Sequence, residues 1–133
     1  MPGERVLVSA CLAGLDCRYD SRTLEIPGIV ENLVKEGSCI PVCPEQLGGF
    51  STPRPKCFVM WEGEKPRVIN DESKDVTEGF VRGARETLKI TRLAGASRAV
   101  FKSRSPSCGE EGVTSRLLRK EGITVEIIDA GKE

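Results

Sequence analysis

Three short apolar runs in this chain end at, or lead directly into, a loop that carries a cysteine. Residues 5–10 stop at Cys11, residues 38–42 stop at Cys43, and Arg98–Lys102 enters the loop Ser103-Arg104-Ser105-Pro106-Ser107-Cys108-Gly109. Runs of this length and composition predict strands. Helical patterns separate them. Pro27 suits a first helical turn, Ile29, Val30, Leu33 and Val34 repeat at helical spacing, and Gly37 occupies the position that ends a helix. Asp75 followed by Glu78 marks another start, with Phe80, Ala84, Leu88 and Leu93 continuing the apolar side of a long helix over 76–94 closed by Gly95. A third helix is expected over 113–121, closed by Gly122, and a last strand over 123–128.

Strands alternating with helices predict an α/β fold: one domain over residues 1–133, with a mostly parallel, Rossmann-like sheet of about four strands and helices on both faces. Residues 44–56, with three prolines and two glycines, are expected to form a long structured loop. Residues 57–61 and 67–69 look like a small hairpin appended to the sheet. In open parallel sheets, ligands bind outside the carboxyl ends of the strands. Cys11, Cys43 and Cys108 are therefore expected on one edge, facing a common site.

The chain has six cysteines and no histidine. That excludes serine–histidine and cysteine–histidine catalysis and every histidine-ligated metal site. Three convergent thiolates suit a soft metal centre, and an iron–sulfur cluster, a three-cysteine zinc site and a thiol-redox centre all remain open at this point. Free cysteines are often buried as small hydrophobes, which is the expectation for Cys39 and Cys57. Cys17, in the loop after Cys11, reads as a packing residue or as a resolving thiol.

Other polar residues fall on the same expected edge. Glu45 follows Cys43 and precedes Gly48-Gly49, where a carboxylate can act as a general base. Ser103, Ser105 and Ser107 suit turn formation or hydrogen bonding to a substrate. Arg18, Arg54, Lys56, Lys102 and Arg104 line the rim, where they and the amino end of the third helix can hold a carboxylate or phosphate. Trp61 and Tyr19 are expected to pack. Lys plus Arg and Asp plus Glu number 20 each, so no basic excess points to a nucleic-acid polymer or an anionic membrane surface. No apolar run nears the ~20 residues of a membrane span, the start lacks a signal-peptide core, and a cytoplasmic location is expected. Oligomeric state leaves no mark in the sequence.

These residues also sit in motifs that resemble the thiouracil desulfurase (TudS-like) family. The motifs are Val-Ser-Ala-Cys-Leu-Ala-Gly (8–14) with Cys-Arg-Tyr-Asp (17–20), and Pro-Val-Cys-Pro-Glu-Gln-Leu-Gly-Gly (41–49) with Pro-Arg-Pro (53–55). Asp-Val-Thr-Glu-Gly-Phe (75–80), Lys-Ser-Arg-Ser-Pro-Ser-Cys-Gly (102–109) and Gly-Val-Thr (112–114) continue in the same order. The resemblance implies a 4Fe–4S cluster held by Cys11, Cys43 and Cys108, with one iron left without a protein ligand. It further implies an acid–base role for Glu45, a substrate-activating role for Ser105, and hydrolytic removal of sulfur from a thiolated pyrimidine. Only Glu110 and Glu111 separate the cysteine loop from Gly112, fewer residues than the family pattern has. That shortening predicts a more open pocket.

Overall fold

The structure, a computed structural model, describes residues 3–129. Four strands form one parallel sheet in the order β2-β1-β5-β6: β1 Val6–Ser9, β2 Cys39–Val42, β5 Arg98–Lys102 and β6 Thr124–Ile128. Their registers align Val6 with Cys39 on one side and with Arg98 on the other. Apart from Ser9, Arg98 and Lys102 at their ends, the central strands β1 and β5 are apolar because both faces are covered. Val6, Val8 and Val100 point to one face, where Val30 and Leu33 of helix α1 (Gly28–Lys35) meet them. Leu7, Ala99 and Phe101 point to the other, against Leu88 of α3 (Thr77–Ala94) and Leu118 of α4 (Val113–Lys120).

β1 connects through α1 to β2 on one side, and β5 connects through α4 to β6 on the other. Right-handed crossovers running in opposite directions must place their helices on opposite faces, as observed. The two connections part at β1 and β5, so the switch point of the sheet lies at the carboxyl ends of these two strands. Every cysteine singled out above on positional grounds is carried there.

Several expectations need correction. The segment 44–56 is not all loop: Pro44–Leu47 forms the short helix α2, started by proline at its first position. The hairpin strands are longer than expected, β3 Cys57–Glu62 and β4 Lys65–Asn70, and they form a separate two-stranded antiparallel sheet. They pack through Val68 onto Phe80 and Ala84 of α3 and Val113 of α4 rather than extending the main sheet. Leu93 is 88% exposed, and the buried stripe of α3 runs instead through Phe80, Gly83, Ala84, Thr87, Leu88 and Thr91. The threonines are accommodated because each hydroxyl donates back to the carbonyl four residues earlier, Thr87 to Gly83 and Thr91 to Thr87, both at 2.8 Å. Ile29 and Val34 are exposed on α1 while Val30 and Leu33 are buried, so the apolar face is narrower than its spacing implied.

Helix α2 is held against α3 backbone to backbone. A Cβ on Gly83 would stand 1.9 Å from the Pro44 carbonyl oxygen, and one on Gly48 would stand 2.1 Å from that of Gly79. Only glycine allows this approach, and it fixes Cys43, Pro44 and Glu45 relative to the long helix.

Candidate functional site

At the switch point lies a cavity of about 90 Å³. This exceeds the ~10–15 Å³ that one water needs several-fold. Cys11 enters it from a 3₁₀ turn, Ala10–Ala13, that follows β1 and ends at Gly14 with φ +98°. Cys43 enters from the junction of β2 and α2, and Cys108 from the loop after β5. The structure thus brings together the three thiols expected on one edge.

Cys17 joins them. It is buried and hydrogen-bonds with the sulfurs of Cys11 and Cys43, its single proton shared between them. Cys17 is held above the ordinary thiol value by those two hydrogen bonds and by burial. Cys11 is lowered, first by the Cys17 hydrogen bond and then, against burial, by the nearby charges of Lys102 and Arg18. Cys43 is lowered to about 6 by the Cys17 thiol, with the Gln46 amide and Arg54 assisting. Cys43 Sγ also lies 3.8 Å from the Cys17 carbonyl, but that contact is at the outer limit for a sulfur donor and is outweighed. Cys108 is raised, because burial outweighs the neighbouring hydroxyls of Ser9 and, more weakly, Ser107. Cys57 also lines the cavity, pushed up to about 11 by burial, while Cys39 packs beneath α1 as a structural residue.

Glu45 occupies the wall between Cys43 and the cysteine loop, and it is 7% exposed. Its Oε1 accepts from Arg54 Nε at 2.8 Å, and its Oε2 accepts from Ser107 Oγ at 2.9 Å. Arg54 is not a rim residue free to grip an anion. It is buried, and its remaining donors reach the Cys17 carbonyl at 2.8 Å, Thr52 Oγ1 at 2.8 Å and the Ser51 carbonyl at 3.1 Å. The guanidinium thereby ties the loop of Cys17 to α2. Ser105 Oγ accepts from the amides of Ser107 at 3.2 Å and Cys108 at 3.0 Å, which folds the loop tightly over the cavity.

Arg18, Lys56, Lys102, Arg104, Ser105 and Ser107 all line the cavity, as the sequence suggested. Ser103 does not. It is buried, and its hydroxyl donates to Asp129 Oδ1 at 3.1 Å, beside the Arg104–Asp129 pair. The amino end of α4 offers no anion site either. The amides of Val113, Thr114 and Ser115 donate to the carbonyls of Pro106 and Ser107, so the cysteine loop itself caps the helix. The short segment at Glu110 and Glu111 borders a second, larger hollow of about 770 Å³ between the hairpin, α3 and α4. Neither glutamate lines the cysteine cavity.

Three residues carried more of the site than their sequence context suggested. Cys17 follows Gly14 closely enough for the chain to turn back, a signal that was present but ambiguous. Arg54 was visible as a cation, not as the partner of Glu45. Ser9 gave no signal: its Oγ accepts from the Lys102 amide at 2.9 Å, a contact 93 positions apart that exists only because β1 and β5 are neighbours.

Among the described residues no three Cys, Asp or Glu side chains converge as a single metal ion requires. A polynuclear cluster sets a different demand, because each thiolate binds a different iron. Cysteines on separate walls of a buried cavity, with cations beside them and no histidine, fit an iron–sulfur cluster in donor chemistry.

Comparison with known proteins agrees with this donor set. The sequence profile of the 2-thiouracil desulfurase family matches residues 6–130. The chain is 36% identical over 141 residues to the uncharacterized protein YbbK of Bacillus subtilis (strain 168), covering 90% of this chain and 93% of that protein. An alignment of 141 residues is longer than this 133-residue chain, so the relative carries residues absent here. Among solved structures, the chain is similar to a [4Fe-4S]-dependent thiouracil desulfidase, TudS, with a TM-score of 0.84 and 35% identity over 94% of this chain and 91% of that one.

Proposed function

From the premise that this chain belongs to the 2-thiouracil desulfurase family, a family of enzymes, we propose that it removes sulfur hydrolytically from a thiolated pyrimidine, a thiouracil-like base or nucleotide. Thiocarbonyl and water give carbonyl and hydrogen sulfide, with no change of oxidation state. The observation that carries this reading is the meeting of Cys11, Cys43, Cys108 and Glu45 in one buried cavity at the switch point of the sheet.

Cys11, Cys43 and Cys108 would hold a 4Fe–4S cluster with one iron not ligated by the protein. When bound, the cluster supplies a thiophilic Lewis acid for the sulfur of the substrate. The chain's own residues supply the rest. Glu45, held from both oxygens, takes the proton of the attacking water. Lys102 and Arg18 favour the Cys11 thiolate and balance negative charge in the cavity. The tight loop at Ser105 and the apolar sheet end limit bulk water, which strengthens each of these interactions. The substrate is a small molecule, in keeping with an enclosed cavity and balanced charge. No helix among the described residues is long and apolar enough to cross a membrane, and the reaction suits a cytoplasmic enzyme.

Anaerobic reconstitution with iron and sulfide tests the reading. The expected result is broad visible absorption and catalytic sulfide release from thiouracil. Cys108→Ala should lose both, whereas Glu45→Gln should keep the absorption and lose about 100-fold or more in turnover. Cluster and activity that survive Cys108→Ala would refute the ligand assignment.

A further inference from the structure

We propose that Ser107 is a proton-relay residue, passing a proton from Ser105 to Glu45 along the wall of the cavity that all three line. The inference rests on the desulfurase reading and deepens its base chemistry. A serine hydroxyl has one proton to donate and two lone pairs to accept with. Both lone pairs of Ser105 Oγ are taken, by the Ser107 amide at 3.2 Å and the Cys108 amide at 3.0 Å. In its 3.1 Å contact with Ser107 Oγ, Ser105 must therefore be the donor. Ser107 in turn gives its one proton to Glu45 Oε2 at 2.9 Å, the much shorter of its two contacts, the other being the Cys108 sulfur at 3.8 Å, while Arg54 holds the remaining carboxylate oxygen. The chain at rest points one way, from hydroxyl to hydroxyl to carboxylate.

That polarity makes the relay a base. As the Ser105 proton moves to Ser107 and the Ser107 proton to Glu45 Oε2, Ser105 Oγ gains a lone pair. It takes a proton from the attacking water while its two amide donors stabilise the developing negative charge. The water becomes the attacking hydroxide, the carboxylate becomes a carboxylic acid, and no electrons change hands. Run in reverse, the same chain returns the proton from Glu45 through Ser107 to Ser105 and on to the departing sulfide, which leaves as hydrogen sulfide. Glu45 thus acts on a group it need not touch, which accounts for a base set in the wall with both oxygens engaged.

Two measurements test this. In the cluster-loaded enzyme, Ser107→Ala should lower kcat about 100-fold with KM and iron content nearly unchanged. Ser107→Thr, which keeps the hydroxyl, should restore most of it. The dependence of kcat on deuterium fraction should change from curved to linear in Ser107→Ala, a signature that a packing role would not move. In the metal-free protein, the Tm losses of Ser107→Ala and Glu45→Gln should be clearly non-additive. A Ser107→Ala enzyme within about threefold of wild-type kcat would overturn the relay, as would additive Tm losses. A cluster-loaded wild type that releases no sulfide would instead remove the desulfurase reading, and the relay with it.

Discussion

At the scale of single residues, Glu45 and Arg54 form a buried ion pair. Both side chains are nearly sealed from solvent, and the guanidinium also holds two backbone carbonyls and a threonine hydroxyl. Removing one member of a buried pair typically costs about 3–5 kcal/mol, because the other charge is left without compensation. Arg54→Ala should therefore unfold at markedly lower urea than wild type. Glu45→Gln, which keeps an oxygen to accept from Arg54, should lose less. Lysine should not rescue Arg54, since an ammonium cannot reach the carboxylate and three further oxygens in one plane. Equal midpoints for Arg54→Ala and Glu45→Gln would show that the pair does not hold this wall together. The pair was only half legible in the sequence. Glu45 stood out by its place two residues after Cys43, whereas Arg54 was one of several loop cations until the fold set its side chain against Glu45 and the Cys17 carbonyl. Ser9 and Cys17 show the same limit, because what each does depends on a neighbour far along the chain.

At the scale of elements, the contact of α2 with α3 gives a test in which two effects have opposite signs. Replacing an interior helix glycine by alanine ordinarily gains about 1 kcal/mol of helix propensity. At Gly83 the added Cβ would meet the Pro44 carbonyl oxygen and carbon at 1.9 and 2.9 Å, backbone atoms that cannot swing aside. Overpacking of this kind costs about 1–3 kcal/mol and here pushes away the helix that carries Glu45. Gly83→Ala should melt below wild type and take up less iron on reconstitution. Gly28→Ala, with nothing within 4 Å of its Cβ, should do neither. A Gly83→Ala protein that melts at or above wild type would show that α2 is free to move. This element is also what the sequence reading missed. Strands β1 and β5 were legible because their central residues, buried on both faces, form unbroken apolar runs. A four-residue helix has too few positions to show a period, and its opening Pro44, followed by Pro53 and Pro55, reads as loop. The hairpin was legible as a hairpin, since alternation reports pairing. Nothing in that alternation could say that it packs on helices instead of joining the main sheet.

At the scale of the whole molecule, the proposed ligands come from three separate parts of the chain, after β1, β2 and β5. The sheet below them does not depend on the cluster, since its strands are buried by Val30, Leu33, Leu88, Phe101 and Leu118 on both faces. Metal-free protein should therefore keep its fold, unlike a small zinc domain in which binding energy is folding energy. What the cluster can do is tie together loops that otherwise hold one another through few contacts. A group bound only by the folded state, at 100 times its dissociation constant, adds about 2.7 kcal/mol. In a chain of this size that corresponds to a Tm rise of roughly 10 °C. The added protection should be local. Hydrogen exchange of loaded against metal-free protein should slow at residues 10–20, 43–55 and 102–112, while Val6–Ser9 and Ala99–Phe101 change little because packing already protects them. Protection spread evenly over the sheet, or a metal-free chain without a cooperative melt, would mean that the cluster builds the fold and does not merely occupy it.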